Sequence, residues 1–115
     1  MAVSARLNGY RISARKARLV ADQIRGKGVE DALNILAVSD KKFAQPLEKL
    51  LRSAVANAEQ RNETQSACID IDNLGVSRVT VDEGSSMWRI RARAQGRASW
   101  IQKRSSNVTV ELSER

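Results

Sequence analysis

The apolar positions of this chain change their period twice. Val3, Ala5 and Leu7 alternate with Ser4 and Arg6, the period-two pattern of a half-buried strand, which Asn8 and Gly9 then end. Beyond Ser13 the spacing lengthens. Ala17, Val20, Ala21 and Ile24 recur as one face of a helix, predicted over 14–25, with Gly26 and Gly28 placed to stop it. Val29, Ala32, Leu33 and Leu36 repeat the pattern, with Glu30 and Asp31 at the N-terminal end where the helix dipole favours them. The strongest stripe is Phe43, Leu47, Leu50, Leu51, Ala54, Val55 and Ala58, a third helix with Asp40 as its candidate cap. Pro46 falls inside that stripe, so this helix either kinks there or begins just before it.

A polar loop is expected around 61–66, after which alternation returns. Leu74 and Val76 are in phase, Ser77 and Arg78 break the phase, and Val79 and Val81 resume it, as a β-bulge would. Val108, Val110 and Leu112 give a second clean alternation. If these two strands pair as antiparallel neighbours, 82–107 becomes one long hairpin with its midpoint near 94–96. Its arms would reach about 30 Å, at about 3.3 Å per residue, and a ribbon of two strands is marginal in water without a partner.

With 115 residues there is room for one domain, 1–115, around one core. No apolar run approaches the length of a membrane span, and the N-terminus lacks the apolar stretch of a signal peptide, so a soluble, unprocessed protein is expected. The lone Cys68 excludes an internal disulfide, and the absence of histidine excludes a Cys/His zinc site. Cys68 is expected to be a small buried apolar side chain. Neither a metal nor a cofactor is expected.

Charge placement narrows the function. The net charge is +7, but it divides into +6 over residues 1–28, −4 over 29–84 and +5 over 85–115. Solubility requires charge without any particular placement, so basic ends around an acidic middle imply two basic surfaces. The stretch 85–110 carries Arg89, Arg91, Arg93, Arg97, Lys103 and Arg104 with no acid, and holds both Trp88 and Trp100. On an extended strand Arg89, Arg91 and Arg93 would share a face about 6.6 Å apart, close to the phosphate repeat of a single strand. A one-signed stretch of this length is an interaction surface for a polyanion more often than a solvated loop.

Other classes fit poorly. Without histidine, a phosphate-cradling glycine loop or a nucleophile paired with a base, the usual catalytic constellations are missing, and no enzyme is expected. Asp82 and Glu83, adjacent on a strand, point to opposite faces and would mark an acidic neck before the basic stretch. The alternative of a free-standing nucleic-acid regulator, with the second helix as a recognition helix, suffers because that helix offers Asn34 alone and two acids. The first helix lacks the large apolar residues that insert into lipid headgroups.

The blocks RISARKARLVADQIRGK at 11–27, SAVANAE at 53–59, VDEG at 81–84, RAQGR at 93–97 and KRSSNVTV at 103–110 occur together in this order. In them the chain resembles the universal large-subunit ribosomal protein number twenty-two family, in its bacterial form, over nearly its whole length. The resemblance implies an α+β fold of three helices packed on a small three-stranded antiparallel sheet, with a long protruding β-hairpin at about 83–105. It implies a structural constituent of the large ribosomal subunit, in the cytoplasm, that binds large-subunit ribosomal RNA and supports assembly. Partners would be that RNA, neighbouring ribosomal proteins and the nascent peptide, with no membrane, and a monomer when free.

Arg11, Arg15, Lys16, Arg18, Arg25 and Lys27 match basic positions of the family's body, and Arg89, Arg93, Arg97, Lys103 and Arg104 those of its hairpin. Arg6 and Arg91 complete the cations expected to meet RNA. The hairpin tip that would line the exit tunnel is Met87, Trp88, Arg89, Ile90, Arg91 and Ala92, then Arg93, Ala94, Gln95 and Gly96. Departures cluster there. Ser85 and Ala92 replace usual prolines, Trp88 a common lysine and Gln95 a common basic residue, while Trp100 and Asn107 stand where Arg and His are more frequent.

Overall fold

Ser13 opens the first helix as its sequence suggests: its backbone is extended and its hydroxyl accepts from the Lys16 amide. The computed structural model in which this is seen describes residues 3–64 and 69–114. In chain order the elements are β1 (Val3–Tyr10), α1 (Ala14–Ile24), α2 (Val29–Val38), α3 (Ala44–Thr64), β2 (Leu74–Glu83), β3 (Met87–Ala92), β4 (Ala98–Lys103) and β5 (Ser106–Glu114). A 3-10 turn at Ile71–Asn73 leads into β2, and another at Ala94–Gly96 joins β3 to β4.

β5 is the central strand of a three-stranded antiparallel sheet ordered β1-β5-β2. Val108, Val110 and Leu112 of β5 are fully buried. Val3 and Ala5 of β1 flank them on one side, and Val76, Val79 and Val81 of β2 on the other, so one sheet face is continuously apolar. The pairing slips between Val76 and Arg78, the bulge that the broken alternation predicted. Ala17, Val20, Ala21 and Ile24 of α1 and Leu47, Leu51, Ala54 and Ala58 of α3 close over this face, each 0–1% exposed. The opposite face, with Ser4, Arg6, Thr80, Thr109 and Glu111, is polar and at least partly open to solvent.

Pro46 occupies the first turn of α3, where a missing backbone donor costs nothing, so the helix begins just before it rather than kinking. Two expectations here are corrected. Asp40 is not the cap: the first-turn bonds run from Ala44 N to Lys41 O and from Leu47 N to Phe43 O, because Phe43 is drawn into the core, against Tyr10, immediately before the helix. Residues 61–64 are not loop but the last turn of α3. The Asn62 amide in that turn donates to the Ile69 carbonyl and accepts from the Ile69 amide, tying down the chain as it leaves for β2. Cys68 lies outside the described residues.

The expected α+β class, with three helices and antiparallel sheets, is what is seen, but the strands do not run as one continuous ladder from the body to the turn. Among the described residues five strands form two sheets, the second being the antiparallel pair β3–β4. The β2–β5 ladder ends at Glu83 opposite Ser106, and the β3–β4 ladder starts at Met87 opposite Lys103. Between them Gly84, Ser85 and Ser86 favour strand poorly, and local bonds replace the ladder. Gly84 N donates to Ser105 O, and the Ser105 hydroxyl donates to Ser85 O. The neighbouring Ser106 hydroxyl, on a fully buried residue, donates to Ile12 O, and Asn107 Oδ1 accepts from Gly9 N, so the β5 side of the junction is anchored to the end of β1 and the residues just past it.

Candidate nucleic-acid interface

The register of β3–β4 decides which side chains share a face, since directly opposed residues in an antiparallel pair point the same way. Arg89 opposes Ile101, Arg91 opposes Ser99 and Met87 opposes Lys103. These residues make one face of the ribbon. Trp88 opposes Gln102, Ile90 opposes Trp100 and Ala92 opposes Ala98, and they make the other. One face therefore carries Arg89, Arg91 and Lys103, and the other carries no charge.

β3 ends at Ala92, so Arg93 lies just past the strand rather than within it. Its backbone remains extended, and its amide donates to Arg97 O at 2.6 Å, so Arg93 and Arg97 continue the register of the cationic face up to the turn. The reversal itself uses left-handed backbone at two successive residues, Gln95 at φ 62° and Gly96 at φ 73°. Every side chain of β3 and β4 is exposed except Ile101, which is half-buried. None of Arg89, Arg91, Arg93, Arg97, Lys103 and Arg104 has an ion-pair partner among the described residues.

The predicted body cations separate into groups. Arg15 and Lys16 are exposed on the first turn of α1, next to exposed Arg11 and near the base of the ribbon, where Ala14 lines a shallow hollow with Glu83, Gln102 and Arg104. Arg25 and Lys27 lie at the other end of this 11-residue helix, about 16 Å away. Arg6 is exposed on the open face of the sheet, away from both. The body's cations do not merge into one patch. The set near the ribbon base is instead widened by residues that charge counting passed over: Lys41 and Lys42 line a hollow with Lys16, Leu19 and Phe43, and Lys42 and Lys49 line a second with Leu7, Tyr10 and Pro46.

Arg18 and Arg25 serve the fold directly. The Arg18 guanidinium donates from Nε and Nη2 to Val81 O, and Arg25 Nη2 donates to Val79 O. Just beyond, Gly26 N donates to Val76 O while Val76 N donates to Lys27 O. These bonds run along the outer edge of β2, which has no strand beside it among the described residues, and satisfy backbone groups that would otherwise invite another chain. Arg25 also pairs with Asp22. The first helix thus uses part of its positive charge to close a sheet edge.

α2 offers nothing to a base edge: Glu30 and Asp31 are exposed at its start and Asn34 is its lone exposed amide. No helix among the described residues is long and apolar enough to cross a membrane. That Trp100 and Gln102 share the uncharged face with Trp88 and Ile90 is not visible in the sequence and follows only once the turn is centred on Gln95.

Residues 5–113 match the family described as ribosomal protein L22p/L17e. Because that match spans nearly the whole chain, the protein belongs to this ribosomal protein family, and its role is that of a structural component of the ribosome and not of an enzyme.

Proposed function

We propose that this chain is a constituent of the large ribosomal subunit that binds large-subunit ribosomal RNA through the cationic face of β3–β4 and the cations around the ribbon's base. The observation that carries the reading is the gathering of Arg89, Arg91, Lys103, Arg93 and Arg97 on one side of a strand pair whose side chains have almost no other contacts. Guanidinium groups displace counterions condensed on folded RNA and so supply affinity, while the shape of the body and the path of the ribbon fix register.

In this reading 83–105 is a long hairpin that reaches inward between RNA segments. A molecule 64 Å long but only 28 and 16 Å across suits that task. Its end, from Met87 to Gly96, forms part of the wall of the nascent-peptide exit tunnel, and holding separate RNA segments together is its contribution to assembly. Neighbouring ribosomal proteins adjoin the body, and the chain is a monomer before it is incorporated, as expected of a cytoplasmic ribosomal protein.

Sedimentation of a cell lysate at high salt tests the assignment. The chain is expected to travel with large subunits, and a photo-crosslinker at Gln95 to reach a nascent peptide. A chain that stays at the top of the gradient contradicts the subunit assignment, and a crosslinker that reaches RNA alone contradicts the tunnel placement.

A further inference from the structure

Trp88, Ile90 and Trp100 are 57%, 63% and 66% exposed, and all three lie on the ribbon face that has no charge. An apolar patch of this kind, left open on a small protein, marks a contact surface. Trp88 opposes Gln102, and Trp100 opposes Ile90, so the two indoles are diagonal neighbours with Gln102 and Ile90 between them. Diagonal positions on one face lie about 7–8 Å apart. Stacked bases are about 3.4 Å apart, so a single base held between two parallel rings needs about 7 Å.

We propose that Trp88 and Trp100 form a clamp for one unpaired RNA base, with the indoles as walls and Ile90 and Gln102 as floor. The inference rests on the RNA-binding reading above and adds a partner class to it: single-stranded, stackable nucleotides. Ile90 gives the floor an apolar half, and the Gln102 amide supplies a donor and an acceptor for a base edge. The choice of RNA over an apolar protein surface follows from charge. The opposite face and the turn are cationic, and no acid occurs between Ser85 and Val110, so a partner covering the indoles meets a one-signed positive ribbon that favours a polyanion. RNA supplies phosphates and π-faces in one molecule. A ribbon with a phosphate face and a base face sits between two RNA segments and engages each by different chemistry.

The chain contains only two tryptophans, both in this clamp, so tryptophan fluorescence reports on it alone. The full chain is titrated with single-stranded RNA of about twelve nucleotides, a length within the usual site sizes, and in parallel with duplex RNA and inorganic polyphosphate. Single-stranded RNA is expected to quench and shift the emission, while duplex and polyphosphate bind without doing so. Trp88→Leu and Trp100→Leu are each expected to weaken single-stranded RNA binding about tenfold, and Trp→Phe at either position to restore part of it. Polyphosphate affinity should be unchanged in all four variants. Equal emission responses to all three polyanions, or Leu variants that bind single-stranded RNA as the parent does, overturn the clamp and leave the RNA-binding reading standing. Emission that responds to an unstructured peptide instead of RNA also overturns it. Failure to bind any polyanion overturns both readings.

Discussion

The guanidinium of Arg18 grips the carbonyl of Val81 with two donors, Nε at 3.2 Å and Nη2 at 2.9 Å, across 63 residues of sequence. With Arg25 on Val79 it turns an open strand edge into a closed one. Two of the cations that look most like RNA contacts in the sequence are therefore also parts of the fold.

The cations of α1 accordingly divide under mutation. Arg18→Ala and Arg25→Ala are each expected to cost about 1 kcal/mol, less than a buried charged hydrogen bond because solvent reaches both groups. Arg18→Lys should rescue little, since a single ammonium cannot replace the fork of donors. Arg15→Ala and Lys16→Ala, whose side chains bond nothing among the described residues, should leave the melting temperature unchanged and lower RNA affinity only. Thermal unfolding beside RNA titration checks the division; equal stability losses in both pairs would refute it.

Gly84 is closely packed at the junction between the two sheets. A Cβ there would meet Ser105 Oγ at 2.8 Å and Asn107 Oδ1 at 3.1 Å. Gly84→Ala should therefore loosen the link between body and ribbon, seen as faster hydrogen exchange at the residue 84 amide, which donates to Ser105 O. Adding Ser105→Ala removes the closest clash and should recover part of the protection. Exchange unaltered by Gly84→Ala would show that the junction accommodates the extra carbon.

Gln95 adopts φ 62° without being glycine, a conformation that disfavours a β-carbon. Gln95→Gly should relax the turn by up to about 1 kcal/mol, and Gly96→Ala should strain it by a similar amount although open space surrounds that position. The Arg93 amide, bonded to Arg97 O across the turn, is the reporter: its exchange should slow in the first variant and quicken in the second. Unchanged exchange in both would show that the turn is not held by these dihedrals.

Much of the body is legible in the sequence because its elements are amphipathic. The stripe from Phe43 to Ala58, the phase slip at Ser77 and Arg78, and the alternation of Val108, Val110 and Leu112 each encode burial, and burial is what the fold respects. The last turn of α3 escaped because Arg61, Asn62, Glu63 and Thr64 are polar, and helix there is secured by a side chain bonding to Ile69, which no periodicity records. Charge counting found the basic stretch but not the division of labour within it. Whether Arg89 and Trp88 share a face with Lys103 or with Trp100 depends on the parity of the turn at Gln95, where one residue more or fewer would exchange the faces. Nor does a run of arginines reveal which of them, like Arg18, is bound to backbone.

The central claim is that the cationic face of the ribbon binds RNA phosphate, and the salt dependence of binding to a large-subunit ribosomal RNA fragment tests it most directly. Replacing Arg89, Arg91 and Lys103 together with glutamine removes three candidate phosphate contacts. The slope of log affinity against log salt should then shrink by roughly 2–3 in magnitude, at about 0.7–0.9 per contact. A slope identical to that of the unsubstituted chain would contradict the account.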